Sequence, residues 1–356
     1  MRFGVYDYVT WARGKTAQEV YAGELELVQK AEELGFEHYF SPEHHFLDFC
    51  LLPNQEVFLA AAAVKTKKIQ LVPFGFIINY RHPLRTAETI AMLDNLSNGR
   101  MHYGITRGSV EWEYEQFGAV WKEPERREIF EESFEVGLAA LTENPMSYHG
   151  KHFHYENLQI LPRPVQKPHP PVWFPGPQSE ASVKWAASRG MHTAAQYISN
   201  ETVRQVFDLY KKNFTPTQAP EPILALQRHV VVAKDLEEAR KVAKDPLYGF
   251  WTHIFSYRNY AGLETNLEWY RASIEGAGAH EDKKPWEDFN FMDEHNIVVV
   301  GDPKTVAEKI LRTKEETGIN YFTGIFHFGS LSIERAVESM RLFSNEVIPL
   351  VQNAGG

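Results

Sequence analysis

The chain has 356 residues, 43% of them hydrophobic and 24% charged, which suits a soluble protein with a large core. A formal net charge of −10 argues against a nucleic-acid partner, whose phosphates need a basic stripe, and the single cysteine, Cys50, excludes an internal disulfide framework. Met1 leads straight into a strand-like run with no signal-peptide core, and the best apolar stretch, Ile69 to Tyr80, is too short to span a bilayer, so a cytoplasmic protein with no membrane partner is expected.

Phe3 to Tyr8 predicts a first strand. A helix follows, with Leu27, Ala31 and Leu34 on one face and Gly35 where a C-cap favours positive φ. Phe36 to Ser41 predicts the second strand, and the loop after it carries Glu43, His44 and His45. Pro53 to Val64 reads as a helix and Ile69 to Phe76 as a buried strand, since its apolar residues do not alternate with polar ones. Pro83 opens a helix with Leu84, Ala87 and Ala91 on one face, Ser97-Asn98-Gly99 ends it, and Met101 to Ile105 is a fourth strand.

Arg126 to Leu141 predicts a helix, and Tyr148 to Tyr155 a hairpin turning at Gly150-Lys151. Val172 to Phe174, Met191 to Tyr197 and Leu224 to Ala233 read as strands, separated by helices over Ser179 to Ser188 and Thr202 to Phe214. A helix opens over Asp235 to Lys244. Residues 245–295 break the rhythm and read as a partly helical insertion, a possible lid over the active site, with Gly276-Ala277-Gly278 and a charged tip. The alternation returns with a helix over Asp302 to Thr317, strand Tyr321 to Phe328 and a last helix carrying Ala336, Met340, Phe343 and Val347. Eight strands alternating with helices predict an α/β fold, a single (β/α)8 TIM barrel with insertions, forming one domain over residues 1–356.

Residues just past the strands of such a barrel converge on one pocket. Here they are Tyr8 and Trp11; Glu43, His44 and His45; Ile77, Asn79 and Tyr80; Thr106-Arg107-Gly108 and, further on, Trp112; and Pro175-Gly176-Pro177-Gln178-Ser179. Two histidines beside a carboxylate can move protons near neutral pH, or only bond the loop together. Ser179 at a helix start, with Arg107, suits an anion; alternatively Ser179 is only an N-cap and Arg107 only pairs with a carboxylate. Among the aromatics, Trp173 and Tyr197 stand at strand ends and are candidates for the substrate pocket, ahead of Trp251. His149, His152 and His154 lie in an outer connection whose turn offers neither carboxylate nor cysteine, so no metal is expected. No Gly-x-Gly-x-x-Gly follows a strand, which argues against a nicotinamide site in this chain.

Several fragments in this order and spacing resemble the bacterial luciferase-like monooxygenases. They are Pro42-Glu43-His44-His45-Phe46, Val72-Pro73-Phe74-Gly75-Phe76 before His82-Pro83-Leu84-Arg85, Asp94 with Leu96-Ser97-Asn98-Gly99-Arg100, and Gly104-Ile105-Thr106-Arg107-Gly108. The likeness continues through Pro171-Val172-Trp173, Trp185-Ala186-Ala187, Gly301-Asp302-Pro303 and Phe343-Ser344-Asn345-Glu346-Val347.

The resemblance implies reduced FMN as cofactor, O2 as co-substrate activated through a flavin hydroperoxide, a small organic substrate, a separate NAD(P)H:flavin reductase and a homodimer. It places the catalytic histidine at His44, a non-prolyl cis peptide under the flavin ring at Phe74-Gly75, and the phosphate arginine at Arg107. Ser179 and Ser182 match phosphate-binding hydroxyls, with Gln178 where luciferase has an acid; Thr106 replaces its reactive cysteine, and Val110 an aromatic residue. His45 and Trp112 join Tyr8, Trp173 and Tyr197 as pocket candidates. A deazaflavin (F420) hydride-transfer enzyme and a non-catalytic flavin-binding homologue are the alternatives.

Overall fold

The computed structural model describes residues 1–11, 14–47, 49–177, 179–260 and 289–354, the side chains of 253–260 excepted. Its strands are β1 (Arg2–Tyr6), β2 (His38–Ser41), β3 (Gln70–Pro73), β4 (Phe76–Ile77), β5 (Tyr103–Thr106), β6 (Met146–His149), β7 (His154–Leu158), β8 (Val172–Pro175), β9 (His192–Gln196), β10 (Leu224–Val232), β11 (Val298–Gly301) and β12 (Tyr321–Ile325). Parallel pairing runs β3-β2-β1-β12-β10-β9-β8-β5, and a bridge between Leu71 and Met101 joins the two ends. This ring of eight strands is the barrel, wrapped by helices that include α1 (Ala17–Glu33), α2 (Gln55–Lys65), α3 (Pro83–Ser97), α5 (Glu125–Thr142), α6 (Glu180–Ala187), α7 (Asn200–Asn213) and α8 (Leu236–Tyr260). Between β5 and α5 lies the short α4 (Glu111–Phe117).

The helices begin where side chains satisfy their first N–H groups. The Thr16 hydroxyl accepts from Glu19 N while the Glu19 carboxylate accepts from Thr16 N at 2.8 Å, a capping box that starts α1. Leu27, Val28 and Ala31 are fully buried against the sheet. Burial of such side chains contributes roughly 1.5–3 kcal/mol for each large aliphatic residue.

Four features depart from the expected element pattern. The strand predicted over Ile69 to Phe76 divides in two, because the Phe74–Gly75 peptide is cis and turns the chain from β2 towards β5, where Phe76 pairs with Ile105. The helix that opens over Asp235 to Lys244 runs on without a break through Pro246 to Tyr260, into the stretch read as a partly helical insertion, since Leu247, Phe250 and Trp251 bury apolar surface that outweighs the missing proline donor. The strand β11, Val298–Gly301, was missed beside the charged insertion although Ile297 to Val300 is a fully buried apolar run. The hairpin turn spans residues 150–153 and is wider than the two-residue turn expected. The middle of the anticipated lid, residues 261–288, lies outside the described residues.

Gly104 shows how tightly the ring is closed. A Cβ there would fall 1.6 Å from the Pro73 carbonyl oxygen, so the approach of β3 to β5 admits no side chain.

Candidate active site

A cavity of about 430 Å³ opens at the carboxyl ends of the strands. That volume falls within the roughly 300–1,000 Å³ typical of small-molecule sites. Its apolar wall includes Phe74, Ile77, Phe174 and Trp251, and its polar lining includes His44, Thr106, Arg107, Ser179 and Ser182.

The first loop is fixed from behind. Asp7, buried on the outer side of β1, accepts from Val9 N at 3.0 Å and from the Tyr39 hydroxyl at 2.8 Å. These bonds hold Val9 at φ +52° and leave Tyr8 facing the cavity, its hydroxyl 2.8 Å from that of Tyr197. Beneath Asp7, His327 Nδ1 lies 2.6 Å from Glu24 Oε1, both side chains almost wholly buried. Burial pushes the His327 imidazole down, but the Glu24 and Asp7 carboxylates outweigh it and lift its pKa to about 9.

The histidine loop divides its residues between two tasks. Glu43 Oε1 meets His45 Nε2 at 3.1 Å, while its Oε2 accepts from Gln55 Nε2 at 3.1 Å and from the Arg81 guanidinium at 3.0 Å. Arg81 also pairs with Glu56 at 2.7 Å. Glu43 and His45 therefore staple the loop to α2 and to the chain after β4. His44 turns instead into the cavity, its ring 5.2 Å from that of Phe49 and 6.5 Å from that of Tyr8.

Glu113, on α4, reaches the same wall. Its carboxylate accepts from His45 N and from the Tyr80 hydroxyl, each at 3.3 Å. Burial lifts its pKa to about 7, against a smaller downward pull from those donors and the His45 ring. A carboxyl that titrates there can give or take a proton at physiological pH.

Arg107 and the start of α6 form the cationic end. Ser179 is the N-cap of α6, accepting from Ser182 N at 3.2 Å, and its hydroxyl donates to Ser182 Oγ at 2.9 Å. Arg107 Nη1 contacts the exposed Glu123 at 3.2 Å, a carboxylate that Arg126 also holds at 2.8 Å. The N-cap and the ion pair expected of these residues are both present, and Arg107, Ser179 and Ser182 also line the cavity.

Of the residues singled out from the sequence, Tyr8, His44, Phe74, Gly75, Thr106, Arg107, Ser179, Ser182 and Tyr197 line this one cavity. Three of the pocket candidates do not. Trp173 sits inside the barrel at 0% exposure, donating from Nε1 to His102 Nδ1 at 2.8 Å, because β8 turns it toward the axis below the cavity. His45 packs edge-on against Phe117, and Trp112 against Phe46. Gln178 lies outside the described residues. Trp251, ranked below Trp173 by sequence, comes onto the wall from α8, its ring 4.8 Å from that of Tyr197. Glu113 was missed; its one available signal was spacing, because on a helix it follows Trp112 round to the buried face.

A larger, more open cavity of about 980 Å³ lies at the other end of the barrel, lined in part by His38, His102 and His192. Trp173 Nε1 and Ile223 N donate to the Nδ1 atoms of His102 and His192. Burial lowers those two pKa values to about 3 and about 4. They are neutral acceptors at physiological pH.

Comparison with known proteins gives the family. Residues 1–321 match the family described as luciferase-like monooxygenase. The chain is 27% identical over 360 residues to the oxygenase component of a flavin-dependent trigonelline monooxygenase of Acinetobacter baylyi, covering 98% of this chain and 95% of that protein. Among solved structures it resembles the oxygenating constituent of 3,6-diketocamphane monooxygenase from Pseudomonas putida, a type II Baeyer–Villiger enzyme in complex with FMN, with a TM-score of 0.80, 21% identity and 98% of each chain covered. The coenzyme F420-dependent tetrahydromethanopterin reductase of Methanopyrus kandleri shares the fold at a TM-score of 0.68 and 21% identity, again over 98% of each chain. Among the described residues, no helix is long and apolar enough to cross a membrane.

Proposed function

The chain belongs to the luciferase-like monooxygenase family, and on that premise we propose that it inserts one oxygen atom of O2 into a small organic substrate, using reduced FMN from a separate NAD(P)H-dependent flavin reductase. The observation that carries this reading is the division of one cavity into an apolar wall and a cationic, hydroxyl-bearing end. FMN has the same division, an apolar ring system and a phosphate dianion, so the residues present fit it. The likeness to a trigonelline monooxygenase named as an oxygenase component supports a separate reductase.

Reduced FMN, when bound, supplies the two electrons that O2 activation requires. The chain's own residues do the rest. Arg107 exchanges the exposed Glu123 carboxylate for the phosphate, which its planar fork can hold bidentately. The Ser179 and Ser182 hydroxyls turn from each other to donate to phosphate oxygens. Phe74, Ile77, Phe174 and Trp251 keep water from the reacting centre. The His44 imidazole, which faces the cavity, passes a proton to or from the reacting oxygen.

The test is turnover with photoreduced FMN and isotopically labelled O2, screening aldehydes, cyclic ketones, terpenoids and aromatics. One labelled oxygen atom in the product is the expected result. Reduced F420 is the control, because a neighbour with this fold depends on it. Turnover with reduced F420 and no label in the product would overturn the proposal.

A further inference from the structure

The outer hairpin of β6 and β7 brings together a group that sequence spacing did not reveal. His149 and His154 are paired directly across the antiparallel ladder, so their side chains share one face. Glu156 lies two residues beyond His154 and, by the pleat, on that same face. The carboxylate that the turn itself lacks is supplied one step along the strand.

The distances suit a metal. Glu156 Oε1 is 3.4 Å from His149 Nε2 and 3.7 Å from His154 Nε2. Tetrahedral coordination with Zn–N and Zn–O bonds near 2.0–2.2 Å places neighbouring ligand atoms about 3.3–3.5 Å apart. One ligand atom from each of the three side chains lies within 4.8 Å of the others. The two imidazole Nδ1 atoms are 3.1 Å apart, so one donates to the other. All three side chains are exposed, so a small ring rotation can separate the Nδ1 atoms as both Nε2 atoms turn to a cation.

The frame beneath is rigid. The Glu132 carboxylate on α5 accepts from the turn's Lys151, His152 and Phe153 N–H groups at 2.7–3.2 Å. Lys151, the nearest cation in the turn, is held by Glu128 at 2.7 Å. His152 faces Glu128 as well, at 3.7 Å, and takes no part in the cluster.

We propose that His149, His154 and Glu156 form a surface site for a borderline divalent transition metal such as Zn2+, with water completing the tetrahedron. Two imidazoles and one carboxylate favour Zn2+ or Cu2+ over Mg2+ or Ca2+, which prefer all-oxygen shells. A bound ion cross-links the two strands. The proposal is independent of the flavin reading.

The test uses untagged, metal-stripped full-length protein titrated with ZnCl2 by calorimetry, alongside Zn2+-dependent thermal melting. We expect saturable binding of one ion and a Zn2+-dependent rise in melting temperature. His149→Ala and His154→Ala should each weaken binding by about 10–100-fold or more, since even outer-shell partners cost that much. His152→Ala should bind as the wild type does. No saturable binding, or wild-type affinity in the two ligand variants, means adventitious surface binding only and overturns the site.

Discussion

Glu113→Gln gives the sharpest test of the electrostatics around the cavity. The Glu113 carboxyl is buried, and burial raises its pKa from an ordinary 4.5 to about 7. The native state therefore holds this proton more tightly than the unfolded chain does. By linkage, wild-type stability falls as pH rises from about 4.5 to about 7 and is flat beyond, as far as this group is concerned. At about 1.4 kcal/mol per pH unit, that interval corresponds to about 3 kcal/mol. A glutamine keeps an acceptor oxygen for His45 N, can donate its amide N–H to the Tyr80 hydroxyl oxygen, and cannot ionise. Urea unfolding of both proteins at pH 5 and pH 8 measures the effect. We expect near-equal stabilities at pH 5 and a gain approaching about 3 kcal/mol for the variant at pH 8. Parallel losses of stability in the two proteins between those pH values would refute the assignment of a buried, near-neutral carboxyl at this position.

Further outcomes follow from other contacts. Arg107→Ala should weaken FMN binding by about 1.5–3 kcal/mol, the range for a charged hydrogen bond, and a fluorescence titration showing unchanged affinity removes Arg107 from the phosphate site. His44→Ala should keep FMN affinity and lower turnover by roughly 10²–10⁴, read in single-turnover reactions of reduced FMN with O2; a wild-type product yield would end its assignment as a proton carrier. Glu24→Gln should destabilise by about 3–5 kcal/mol at pH 7, as breaking a buried pair does. Because the His327 pKa is raised from 6.5 to about 9, its share of stability is whole below pH 6.5 and lost as pH climbs to about 9. Denaturant melts across that window should show the loss in wild type and a weaker one in the variant. Gly104→Ala should yield little folded protein, because its methyl collides with backbone rather than with a side chain that can move; soluble expression and a melt comparable to wild type would show that β3 and β5 can separate.

Much of the barrel was legible because its strands are short apolar runs between amphipathic helices, and both periods survive in one sequence. The strand β11 was obscured by the neighbouring charges, although Ile297 to Val300 is as apolar as any other strand. The continuation of α8 through Pro246 is a tertiary effect: Leu247, Phe250 and Trp251 make it worthwhile, and no local signal reports their burial. At the site, position after a strand was a good guide for Tyr8, His44, Thr106 and Arg107, which face the cavity. It misled for Trp173, because a one-residue step along β8 turns a side chain from the mouth to the axis. Glu113 and Trp251 enter from helices, and strand-end reasoning does not look there.

The pairing of β10 has a consequence for how such a cavity can diversify. Residues 225–229 of β10 pair with β12 within the ring, and residues 229–232 carry β11 outside it. The chain thus leaves the ring at Ala233 and is clasped back beside His229 at Val298. The described residues between them, 234–260 and 289–297, form a cassette clipped to the rim by four register pairs, and Trp251 is its contribution to the cavity wall. Such a cassette can be lengthened, shortened or exchanged without breaking a backbone hydrogen bond between strands of the ring. The cavity wall can change there while Arg107, Ser179 and Ser182 stay as they are.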